Sequence, residues 1–255
     1  TDFCPRKESM IHRLENIKDT YIIKEYGNLE KMIQEYKRLI EFLEQKFNVR
    51  LDEKNLADVV EKTNEECLLI RDITDIYMGH PEIMGCDDLT EVIYGSRFIF
   101  DLGIRLEKLR EMKETMIELL LPEDKISNPK KKILITGGPP DGMADGLLKP
   151  LSCYGAILSV SYCEGGNYKT VKYNNNLLYG LAEKYICKDF FGELKETAEN
   201  YNIDAIINLK FSGCDFGDRE AADTGLPYFQ VQVHYDYNND YSEVLSKIKC
   251  FIEGL

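Results

Sequence analysis

Two cysteines stand where chemistry could be done. Cys163 lies in Tyr162-Cys163-Glu164-Gly165-Gly166 and Cys214 in Phe211-Ser212-Gly213-Cys214, each just after a short apolar run and each close to glycine. A third glycine stretch, Gly137-Gly138-Pro139-Pro140, follows the run Lys132-Ile133-Leu134-Ile135-Thr136. Thiolates are soft ligands suited to iron–sulfur clusters or zinc, and glycines let backbone N–H groups approach the sulfurs and stabilise their charge. The two cysteines do not form a Cys-x-x-Cys motif, so a metal site built from them exists only once the chain folds. The competing reading makes them small residues packed at strand ends, where cysteine behaves as a modest hydrophobe.

Six further cysteines sort by their surroundings. Cys67 falls on the apolar stripe of a helix, and Cys153 and Cys250 sit in predicted helices among apolar neighbours, so all three read as packing residues. Cys86 opens a helix, where the dipole could lower a thiol pKa, although a plain N-terminal turn explains it as well. Cys187 follows a helix and is a secondary candidate ligand. Cys4, in Cys4-Pro5-Arg6-Lys7-Glu8-Ser9-Met10, stands outside any apolar stripe. His234 ends the fourth predicted strand, where it could contact a ligand, exchange a proton or simply satisfy the strand end. Lys169, Lys172 and Lys210 suit a polyanionic substrate or plain solvent. The stretch from Gly137 to Gly142 has neither G-x-G-x-x-G nor the Lys-Ser/Thr of a P-loop, which argues against nucleotide binding. No Ser/His/Asp signature, HExxH or EF-hand loop occurs.

These residues need elements to hold them. Apolar positions step by three and four from Asn28 to Phe47, which predicts a helix. Asp52 is a plausible N-cap for a second helix running to about Tyr77. Two further helical stretches, Asp88 to Phe100 and Ile104 to Leu120, lead to a polar segment from Pro122 to Lys132. After it the period changes. Strands are expected at 132–136, 156–162, 203–210 and 226–234, with helices near 143–153, 177–185, 192–201 and 242–252. Strand and helix alternate, which means a parallel, doubly wound α/β sheet with its ligand site beyond the carboxyl ends of the strands. Residues 1–125 are expected to be mainly helical, and 126–255 to form the α/β domain.

Composition bounds the function. Among 255 residues, 32 Lys+Arg against 45 Asp+Glu leave a net charge of 32 − 45 = −13, and 44% of the residues are hydrophobic. The chain can bury a core without disulfide staples. Its acidity and the lack of a basic cluster argue against nucleic acid. No run approaches the roughly 20 apolar residues of a spanning helix, and no signal peptide opens the chain. A cytoplasmic protein without membrane contact is expected. Opening on Thr1-Asp2 without Met, the sequence reads as one whose start is missing.

At these residues the chain resembles the 2-hydroxyacyl-CoA dehydratase and benzoyl-CoA reductase superfamily, which includes double-cubane cluster proteins. Ile133-Leu134-Ile135-Thr136-Gly137-Gly138-Pro139 is similar to the family's strand and G-x-P turn. Tyr162 to Val171 resembles the E-N-C-x-G-x-K-T-V stretch of the double-cubane branch. Lys210 to Asp215 resembles the K-F-C-D ligand motif with two extra residues before the cysteine. Gly225-Leu226-Pro227-Tyr228 through Tyr237 looks like the following G-I-P-x-L strand and acidic turn, and Cys4 to Met10 is similar to C-D-G-K-K-K-M. The helical hairpin from Asn28 to Tyr77 matches in position. Set against that family, most of its first domain would lie before Thr1, so either the start of the chain is missing or this member is reduced.

The resemblance implies a flavodoxin-like sheet domain preceded by a helical remnant or linker of a first α/β domain. It implies an iron–sulfur cluster, [4Fe–4S] or double-cubane, ligated by Cys4, Cys163 and Cys214, with Gly137, Gly138, Glu164, Gly165, Gly166 and His234 around it. The activity implied is that of a dehydratase (a lyase) or low-potential reductase component. An ATP-dependent activator would supply the electron, an acyl-CoA or other small molecule would be the substrate, and the chain would form a homo- or heterodimer. Three alternatives stand beside this reading: a double-cubane reductase of small molecules, a non-catalytic flavodoxin-like binding module, and a zinc protein.

Overall fold

The computed structural model describes residues 13–14, 17, 20–23, 28–120, 131–137, 144–161, 169–174, 176–186, 190–211, 222–234 and 240–255. Two compact units divide the chain: residues 1–65 with 169–188, and residues 66–168 with 189–255.

The first unit is mainly helical where it is described. Helix α1, Leu29–Phe47, starts because the Asn28 side chain accepts the Lys31 N–H at 3.1 Å, and it stops at Asn48, whose φ of 52° is the left-handed turn asparagine tolerates. Its stripe buries Met32, and Glu35 is buried with its carboxylate 2.6 Å from the Arg38 guanidinium. Phe47 at the far end of the predicted stripe is 65% exposed. Helix α2, Glu53–Gly79, begins as expected at Asp52, whose carboxylate takes the Lys54 N–H at 2.9 Å. The extended segment 171–173 is tied to α2 by paired bonds. Asn64 donates through Nδ2 to the Val171 carbonyl (3.0 Å) and accepts the Val171 N–H (2.6 Å), and Tyr173 donates to Glu61 (2.7 Å). Asn176 then caps helix α6, Leu177–Ile186, which lies against α1.

In the second unit the single helix expected from Asp88 to Phe100 is three pieces: helix α3, Cys86–Thr90, a π-turn at Glu91–Gly95 and a 3₁₀ turn at Ser96–Phe98. The Thr90 hydroxyl donates to the Cys86 carbonyl at 2.7 Å, a back-bond that competes with the helix ladder, and Gly95 adds no helix propensity. Helix α4, Leu102–Leu120, starts two residues early because the Asp101 carboxylate caps the Ile104 N–H. The helix expected near 143–153 is a π-turn at Ala144–Leu148 followed by the short helix α5, Lys149–Leu151. Pro150 lacks the N–H that a regular ladder needs there.

Four strands follow: β1 (Lys131–Gly137), β2 (Gly155–Ser161), β3 (Ala205–Phe211) and β4 (Tyr228–Val233). They are all parallel in the order β2-β1-β3-β4. Helix α7, Phe190–Tyr201, precedes β3, and helix α8, Ser242–Glu253, follows β4. This is the α/β, flavodoxin-like architecture expected from the alternation of the sequence.

Ile133, Leu134 and Ile135 are consecutive and each at most 1% exposed, so both faces of the sheet are covered, as parallel sheets require. The core joins them to Ile73, Tyr77, Leu106, Leu194 and Ile248 from α2, α4, α7 and α8. Each such aliphatic side chain contributes about 1.5–3 kcal/mol on burial. Tyr201 Oη donates to Asp75 at 2.7 Å, which ties α7 to α2. The outer edge of β2 is blocked by two tyrosines: the Ile157 N–H donates to Tyr77 Oη (3.0 Å), and Tyr94 Oη donates to the Ser159 carbonyl (3.3 Å).

Candidate functional site

In an open α/β sheet the ligand crevice forms where successive connections leave in opposite directions. Here β1 is followed by β2 on one side, and the chain then returns to place β3 on the other, so the switch point lies between β1 and β3. The register levels the strand ends. Gly137 of β1 sits beside Ser161 of β2 and Leu209 of β3, and Phe211 beside Val233 of β4.

Gly137 is the expected site residue that the structure describes at the centre of this rim. Its φ is +113°, and a Cβ there would run into the Leu209 carbonyl and stand 2.8 Å from Asn208 Oδ1. Only glycine lets β1 and β3 approach this closely as the chain turns off the sheet. Cys4, Cys163, Cys187, Cys214, Gly138, Glu164, Gly165 and Gly166 lie outside the described residues. The strands that lead to two of them are described: Cys163 comes two residues after Ser161, and Cys214 three after Phe211. Strands β2 and β3 flank β1, about 10 Å apart at two inter-strand spacings. A few residues at about 3.3 Å each can span that gap.

The described cysteines are elsewhere. Cys67 is buried in α2, as the helical stripe predicted. Cys86 is 1% exposed, with Sγ 3.0 Å from the Leu148 carbonyl and 3.2 Å from Ser152 Oγ. Burial pushes its thiol up to about 11 despite the Ser152 hydrogen bond, so desolvation outweighs any activation at the start of α3. Cys153 and Cys250 are exposed, against the expectation that they pack among apolar neighbours. Cys153 stands in the turn after α5, and Cys250 on the open side of α8. His234 follows β4 at the outer end of the sheet and is exposed, with β3 between its strand and β1. Lys172 is exposed. Among the described residues, no three His, Cys, Asp or Glu side chains gather as a metal site.

Two residues at the switch point escaped the reading of the sequence. Thr136 and Asn208 are register partners on β1 and β3, each 1% exposed. An asparagine inside the apolar run Ala205-Ile206-Ile207-Asn208-Leu209 was the available signal, because an amide is not buried in a sheet without a use.

At the end of β1, Gly137 is packed directly against the β3 backbone at Leu209, and Ile135, Leu209 and Phe211 beside it are buried. No described helix is long and apolar enough to cross a membrane. No curated protein matches the chain significantly. The family model of the 2-hydroxyglutaryl-CoA dehydratase D-component matches residues 1–255. Matched along its whole length by that model and folded as a parallel, flavodoxin-like α/β sheet, the chain belongs to the 2-hydroxyglutaryl-CoA dehydratase D-component family.

Proposed function

We propose that the protein is an iron–sulfur component of a dehydratase system, serving ATP-activated reductive or radical chemistry on an acyl-CoA. Cys163 and Cys214 would hold the cluster, with Cys4 as the third ligand by resemblance. The observation that supports this most is topological: the two cysteines follow the two strands that flank β1, at the end where this class of sheet binds its ligands. Three ligands from the chain leave one iron of a cubane open for substrate, water or a bridge.

When bound, a cluster of this kind supplies one-electron chemistry at low potential. The chain's own part is to position and to exclude water. The β1–β2 and β1–β3 ladders fix where the two connections start, and Gly137 lets the end of β1 lie close against β3; buried apolar side chains such as Ile135 and Leu209 in these strands would keep the surroundings of a bound cluster dry, a factor that sets potential.

The test is iron and acid-labile sulfide per chain after anaerobic purification, with visible and EPR spectra. It is run on wild type and on Cys4→Ala, Cys163→Ala and Cys214→Ala. About four irons per chain, lost in the variants, supports a [4Fe–4S] centre. Twice that number favours a double-cubane reductase. A colourless chain that stays free of iron after reconstitution refutes the proposal.

A further inference from the structure

One row of side chains crosses the sheet just below the rim. Thr136, Asn208 and Gln230 are in register on β1, β3 and β4, so their side chains share one face. The outer part of the row is bonded: Asn208 Nδ2 donates to Tyr228 Oη at 3.1 Å, and Tyr228 Oη donates to Gln230 Oε1 at 3.0 Å. The inner part is not. Thr136 Oγ1 and Asn208 Oδ1 are both buried, and neither has a hydrogen-bond partner among the described residues. Tyr228 holds the far end of the Asn208 amide, so Oδ1 is turned towards β1 and lies against Gly137.

Two adjacent orphaned groups would each carry a full desolvation cost. Native proteins answer such a pair with an internal water, which both donates and accepts. We propose that one buried water molecule is bound between Thr136 Oγ1 and Asn208 Oδ1, at the switch point one residue short of the rim. It accepts a hydrogen bond from the Thr136 hydroxyl, donates one to Asn208 Oδ1, and bridges β1 to β3 where the ladder ends. Thr136 and Asn208 are thus positioning residues for the end of β1. The site is independent of any metal at the rim.

The test turns on a sign. Thr136→Val is nearly isosteric and removes only the hydroxyl. With the water bound, the variant strands Asn208 Oδ1 and the water together, and the unfolding equilibrium constant rises about tenfold. With the site dry, the same substitution removes a buried orphan and stabilises the protein. Thr136→Ser keeps the hydroxyl and should keep the water. High-resolution crystal structures should show one water within hydrogen-bond reach of both atoms in wild type and Thr136→Ser, and a lost or displaced one in Thr136→Val. A Thr136→Val protein as stable as wild type or more so, or a wild-type structure with no water there, overturns the inference. If Thr136→Val does not fold, the wild-type and Thr136→Ser densities decide.

Discussion

Replacing Gly137 with alanine tests the geometry of the rim directly. Two costs combine at this position. A φ of +113° is one that side chains rarely adopt, and holding a non-glycine residue in such a region costs about 1–3 kcal/mol. The new methyl also meets the Leu209 carbonyl, which belongs to a ladder strand and cannot rotate away, so overpacking adds about 1–3 kcal/mol. Together the loss is roughly 2–6 kcal/mol. For a chain of this size it lowers the melting temperature by roughly 5–20 °C. Two other glycines separate the terms. Gly225 has a φ of +77° but open space around it, so Gly225→Ala carries strain alone. At Gly155 a Cβ would meet the Lys131 carbonyl without a positive φ, so Gly155→Ala carries the clash alone. Urea titrations followed by circular dichroism should rank Gly137→Ala below both. If Gly137→Ala loses no more than Gly225→Ala, the ends of β1 and β3 can part freely, and the account of a fixed rim is wrong.

Cys86 should resist iodoacetamide in the native protein at pH 8 while Cys153 and Cys250 are alkylated, because its thiol is buried and raised to about 11; peptide mass spectrometry reads the order, and equal rates would contradict it. Asn64→Leu removes both bonds to Val171 and should cost about 1–3 kcal/mol with faster amide exchange at Val171; unchanged exchange would show that the segment is held otherwise. The start of α8 should loosen in acid. Hydrogen bonds from Ser242 hold the Asp240 carboxyl below its ordinary value, and the Lys247 hydrogen bond and charge do the same for Glu243. Stability from lowered carboxyls is complete above their unfolded values, 3.8 and 4.5, and is lost as pH falls through the lower folded ones. Amide protection factors at the first turn of α8, corrected for the intrinsic exchange rate, should therefore fall below about pH 4, and Asp240→Asn should flatten that fall.

The strands were legible because a parallel sheet is buried on both faces and writes itself as continuous apolar runs, as Lys132 to Thr136 and Ala205 to Lys210 do. The cap at Asp52 was legible because one side chain and one N–H decide it. The π-turns were not: hydrophobic spacing near Thr90 and Pro150 still suits a helix, and the deviation comes from one back-bonding hydroxyl and one missing N–H. Gly137 could be picked out as a glycine after a strand. Asn208 acquires meaning only beside Thr136, a pairing that depends on strand order, and strand order has no local signature. The spacing of Cys163 and Cys214 conveys little for the same reason, since 51 positions of sequence separate residues whose strands have only β1 between them.

The two tyrosines on the outer edge of β2 act without charge. Many proteins keep an edge strand from recruiting another chain with a lysine, whose effect weakens as ions screen it. Tyr77 and Tyr94 instead occupy the backbone positions an incoming strand would need, and burial raises the Tyr77 phenol so that it stays neutral in mild alkali. Strand addition at the β2 edge should therefore be indifferent to ionic strength. It should instead track the local opening of α2 and of the turn at Glu91–Gly95, the two elements that carry these tyrosines.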